Sequence, residues 1–144
     1  MIKILIYCIY FLQIAPSFPV ANISGFWSGK ITQDVAVYKS DYKFEMIIKQ
    51  KGKKITGRTY VYSDNYFAVM SMEGEYHNNI LSFKELKIID NKDISDMEWC
   101  IKSGVLKVVN KNGIITLEGP WIGKSSQGNC NPGKIILSKG NIRV

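Results

Sequence analysis

The chain has 144 residues, 46% hydrophobic and 22% charged, with a formal net charge of +7. At the usual ~100 to 200 residues per domain, that length admits one compact domain and excludes a multidomain machine. The near-average composition excludes wholesale disorder and a polytopic membrane protein.

In chain order, Met1 to Lys3 carries one positive charge, Ile4 to Ile14 is almost unbroken apolar sequence, and Ala15 to Ala21 mixes prolines with small residues. This is the layout of an export signal, spanning 1–21, with cleavage expected after Ala21 or Ser17. The apolar run is about half the ~20 residues a spanning helix needs, so no permanent membrane anchor is expected. Removing these 21 residues, Lys3 and Cys8 among them, leaves a single domain of 123 residues, 22–144, with a formal charge of +6. The expected location is secreted or periplasmic. Asn22-Ile23-Ser24 is a glycosylation sequon, of consequence only in a eukaryotic host.

Strands are predicted at 25–36, 41–51, 54–63, 66–76, 80–89, 97–109 (open to a break at Gly104), 113–121 and 133–139. Tyr42 to Met46 alternates apolar and polar residues, and β-branched and aromatic residues resume from Ile55 to Tyr62 after Gly52-Lys53, which together read as a hairpin. Asp64-Asn65, Asn78-Asn79 and Asn112-Gly113 are further turn signals, because these residues tolerate the positive φ of tight turns. No stretch carries a sustained helical period. Consecutive antiparallel strands of this kind remove their edges by closing into an up-and-down barrel or by packing as a sandwich, and hairpin-after-hairpin order favours the barrel. Gly57 and Gly74, inside strands, fit the bends a small barrel needs or mark bulges. The fold class is thus all-β, an eight-stranded antiparallel up-and-down barrel, with mouth loops at Asp90 to Asp96 and Gly123 to Pro132.

Two cysteines remain in the mature chain, Cys100 and Cys130, an even number in an oxidising compartment. Their pairing closes a loop of about 30 residues, for which chain-entropy arguments give ~3 to 4 kcal/mol. Neither has a second ligand at metal-binding spacing, and no metal or cofactor is expected.

Gly25-Phe26-Trp27, opening the first strand soon after an export signal, resembles the Gly-x-Trp start of calycins, the lipocalin and avidin-like barrels. Phe44 to Val61, with Ile55 to Tyr60 after a hairpin, is similar to the second and third strands of avidin-like barrels. The resemblance covers almost all of the mature chain. It implies that Trp27 closes the barrel floor beneath a basic residue from near the chain end, Lys139 or Arg143. A second lipocalin signature of the Thr-Asp-Tyr kind and a set of polar residues matching avidin's biotin contacts are missing, so no ligand identity carries over.

The resemblance implies a cup for a small apolar ligand, lined by Phe44, Met46, Ile48, Ile55, Val61, Tyr66, Met70, Met72 and Leu81 in the register read here. Eight strands lie at the boundary where side chains fill the interior or leave room for one ligand, and both outcomes stay open. Trp27, Trp99 and Trp121 are core residues or, alternatively, ligand-stacking ones.

No catalytic residue is expected. The chain has no Gly-x-Ser-x-Gly elbow and no phosphate-binding glycine loop, and its lone His77 removes most histidine acid-base schemes. Glu73, Glu75 and His77 share one face of a strand. A two-residue turn at Asp64-Asn65 pairs Ser63 with Tyr66 and turns this trio outward, with Tyr66, Met70, Met72 and Tyr76 inward; a three-residue turn reverses everything. The outward arrangement avoids burying two unpaired carboxylates. Lys49, Lys51, Lys53, Lys54 and Arg58 form a basic cluster; without a recognition helix or RNA-binding aromatic motif it does not indicate nucleic acid. It keeps a hairpin tip soluble or meets an anionic surface partner. The expected function is an exported, non-enzymatic barrel binding a small hydrophobic ligand in its lumen, with a solid barrel acting as a surface interaction or inhibitor module as the alternative.

Overall fold

In the computed structural model, residues 22–35, 40–93 and 95–140 are described; the expected export segment and Arg143 lie outside them. The described residues form nine strands and no helix. They are β1 (Gly25–Thr32), β2 (Asp41–Lys51), β3 (Lys54–Ser63), β4 (Tyr66–His77), β5 (Ile80–Lys92), β6 (Ile101–Lys111), β7 (Ile114–Ser125), β8 (Gly128–Asn129) and β9 (Gly133–Lys139). From β1 to β7 each pairs antiparallel with the next; β7 then pairs with β9, and β9 returns to β1. The result is a closed, eight-stranded, up-and-down antiparallel barrel, with the two-residue β8 an extra rung on β7.

Closure follows from turn chemistry and period-2 patterning. Asp64, Asn78, Asn79 and Asn112 adopt positive φ, as does Gly113, so the tight turns fall where Asn, Asp and Gly cluster. Ser63 pairs with Tyr66 across a two-residue turn, which sets the parity of β4. Ala68, Met70, Met72 and Tyr76 face inward and are buried, whereas Glu75 and His77 are exposed and Glu73 binds Lys84 at 3.1 Å on the outer face. Gly57 and Gly74 meet the predicted need for small residues: a Cβ at either would lie 1.9 Å from the Ile47 carbonyl oxygen or 2.2 Å from that of Ser82. Neighbouring backbones approach there more closely than any side chain permits.

Several boundaries differ from expectation. β6 is unbroken at Gly104 and begins at Ile101, because 97–100 is irregular chain bridging the barrel mouth. β1 ends at Thr32 rather than reaching 36. β5 runs on to Lys92 and β7 to Ser125, so both expected mouth loops begin later than their turn residues suggested.

One end, the base, is closed by Trp27, which is 1% exposed and donates its indole N–H to the Ile23 carbonyl at 2.9 Å. Lys139 Nζ sits 5.8 Å from its ring centroid. The mouth, at the other end, is tied by Cys100–Cys130, with Cα atoms 6.3 Å apart, inside the usual range for a bridge. Glu98 accepts hydrogen bonds from the Ser126 N–H (2.9 Å) and hydroxyl (2.5 Å), fastening the same two connections a second time.

Candidate functional site

Phe44, Met46, Ile48, Ile55, Val61, Met70, Met72 and Leu81 all point into the barrel and are buried. With Ile23, Trp27, Tyr76, Leu106, Leu117, Ile135 and Leu137 they form one continuous apolar core from the base upward. Tyr66 stands apart: it is half-buried at the mouth rim, and Lys92 Nζ lies 6.0 Å from its ring centroid. Of these predicted lining residues, Val61 borders a small recess of about 100 Å³ at the mouth, and Ile55 borders an open cleft of about 540 Å³ on the outer wall with Glu73, Glu75 and Lys84.

The mouth recess is walled by Ile31, Tyr42, Val61 and Trp121, roofed by Met97, Glu98 and Trp99 from the chain ahead of β6, and edged by Gln33, Ser63, Cys100 and Lys102. Trp121 is held by donating its indole N–H to the Thr32 carbonyl at 2.8 Å, and Trp99 by donating to Asp93 at 2.6 Å. Burial raises the Tyr42 phenol above its ordinary 10.0, so this rim tyrosine stays neutral at ordinary pH. The space is therefore predominantly apolar and aromatic, with one cation at its inner edge.

The cation is Lys102, whose side chain is 4% exposed, paired at 3.0 Å with Glu85, whose side chain is fully buried. Their position follows from the ladder. β5 and β6 part company after Lys84–Ser103, and β5 continues along β4 with bulges that shift its register. The backbone N–H of Lys102 thereby loses its strand partner, and the Glu85 carboxylate replaces it at 2.7 Å. The other carboxylate oxygen accepts the Thr59 hydroxyl, and Lys102 Nζ also donates to the Cys100 carbonyl at 2.9 Å and lies 5.7 Å from the Phe44 ring centroid. An ion pair inside a core persists only when its remaining hydrogen-bonding capacity is met, as here.

The pair was legible in principle. Extending the inward period of β5 from Leu81 through Phe83 reaches Glu85, and extending that of β6 back from Leu106 reaches Lys102. Two opposite charges on facing inward positions are a signal that a list of apolar residues passes over. Tyr42 was missed because it sits at the strand end beyond the tightly packed layers.

Glu73, Glu75 and His77 do not converge on the recess, and among the described residues no group of three potential metal ligands comes together. Lys49, Lys51, Lys53, Lys54 and Arg58 are exposed on β2, β3 and their turn, away from the mouth. Comparison with protein-family models and with curated proteins finds no match for the chain.

Proposed function

We propose that the chain is an exported, calycin-like, non-enzymatic binding barrel that takes the apolar end of a small ligand into its mouth recess. The observation that carries this reading is the recess itself, an apolar, aromatic-walled space of about 100 Å³ at the mouth, above a cluster of buried apolar side chains. It is about a third of the ~300 Å³ at the small end of ligand pockets, so it suits one end of a ligand with the remainder at the rim. The Cys100–Cys130 bridge fits an oxidising compartment. Lys139 over Trp27 fits the barrel floor that the calycin resemblance implies.

The alternative, a solid barrel acting through its outside, is favoured by the continuous packing below the recess. Titration with a hydrophobic fluorescent probe separates the two. Val61→Phe fills the recess and should weaken probe binding at least several-fold, as should Trp99→Ala. Unchanged affinity in both variants, with the fold intact, would move the function to the outer surface.

A further inference from the structure

We propose that the base of the barrel is a docking surface for an anionic lipid bilayer. This does not depend on what occupies the mouth.

Two hairpins at the base carry complementary halves of such a surface. The β2–β3 hairpin ends in Lys49, Lys51, Lys53 and Lys54, all exposed, around the Gly52-Lys53 turn. Across the barrel, the β6–β7 hairpin outruns its neighbours. β5 begins at Ile80, opposite Lys107, and the β7–β9 ladder ends at Thr116–Ser138, so the segment around Asn112-Gly113 projects beyond the barrel rim. Its tip presents Ile114, 63% exposed, and Ile115, 40% exposed, flanked by Lys107 and Lys111.

Among the described residues, carboxylates at this end are few. Glu118 is held by Lys111 at 3.3 Å and by the Thr116 hydroxyl at 2.7 Å, and Glu75 lies opposite Lys54 in the ladder. The mouth end has the opposite character, with Asp34, Asp64, Asp93, Asp96 and Glu98 on its connections. A basic base and an acidic mouth give the barrel a charge asymmetry that turns its base toward a negative surface. Exposed isoleucines at a projecting tip choose among negative surfaces. They gain nothing from a soluble polyanion, whereas beside lysines they enter the headgroup boundary of a bilayer. Ile23 and Trp27 seal the base, so docking would leave the mouth facing away from the membrane.

The test is co-sedimentation of the protein, as released by its producing cells, with phosphatidylcholine vesicles with and without phosphatidylglycerol. Binding should require phosphatidylglycerol and weaken as salt is raised. Each lysine near an anionic surface is worth roughly fivefold in partition, so Lys51→Gln/Lys53→Gln/Lys54→Gln should lose about a hundredfold. Ile114→Ser/Ile115→Ser should also reduce vesicle binding while leaving retention on a heparin column unchanged. All five positions are exposed, and unaltered thermal unfolding checks that the variants stay folded. Absence of binding, equal binding without phosphatidylglycerol, or vesicle binding indifferent to the isoleucine pair would overturn the proposal; the last outcome, with heparin retention, would assign the lysines to a soluble polyanion.

Discussion

Glu85→Gln is the sharpest perturbation of the barrel wall. The native carboxylate answers three donors: the Thr59 hydroxyl, the Lys102 backbone N–H and the Lys102 ammonium. Glutamine keeps the shape but removes the charge, leaving a buried ammonium with the Cys100 carbonyl and the Phe44 ring face. Removing one partner of a buried pair costs ~3 to 5 kcal/mol, and this variant should fall at the upper end because Lys102 keeps its buried position without a carboxylate partner. Lys102→Met should fall at the lower end, since its carboxylate keeps the Thr59 hydroxyl and the residue-102 backbone N–H. The double variant Glu85→Gln/Lys102→Met should be more stable than Glu85→Gln alone, because it removes the orphaned ammonium. Urea denaturation is the assay, with the midpoint moving at constant slope. A cost below ~1 kcal/mol for both single variants, the range of exposed pairs, would contradict this and mean that solvent in the cleft beside Lys84, Glu85 and Lys102 screens the pair.

The remaining predictions concern the covalent and ionisation states. Replacing Cys100 and Cys130 together by serine should cost ~3 to 4 kcal/mol in urea denaturation, and both thiols should resist alkylation in unfolded, unreduced wild-type protein. The Tyr42, Tyr62 and Tyr76 phenols all lie above their ordinary 10.0, Tyr42 and Tyr76 through burial and Tyr62 through burial and then its bonded neighbour Glu45. Stability from these raised values is fully present below about pH 10 and is lost as pH climbs through the folded-state values, so alkaline unfolding should coincide with delayed tyrosinate absorbance. A tyrosinate titration identical in folded and urea-unfolded protein would contradict this. Mass spectrometry of the protein from its producing cells should show a chain starting near Asn22, against an intact Met1 form.

The strand sequence was readable because period-2 alternation and Asn, Asp and Gly turns act locally. Asp64-Asn65 decides the parity of β4, and everything from Ala68 to Tyr76 follows. The disulfide follows from the two cysteines, Cys100 and Cys130, that lie outside the expected export segment. What lay beyond the sequence depends on where ladders stop. The separation of β5 from β6 after Lys84 is a property of closure and bulging, and no residue there signals it. Period 2 places Glu85 and Lys102 on inward positions, but that they pair with each other emerges only from the seam. The mouth recess lies among Tyr42, Trp99 and Trp121 at the rim, whereas Phe44, Met46 and Ile48, the most apolar inward run, are buried below it.

The central claim, that the mouth recess is the binding site, is tested most directly by following backbone amide resonances while an apolar probe is titrated in. Shifts should concentrate at Tyr42, Val61, Trp99, Lys102 and Trp121, with the base residues Trp27 and Leu137 unmoved. Shifts confined to residues away from the mouth, or none at saturating probe, would contradict it.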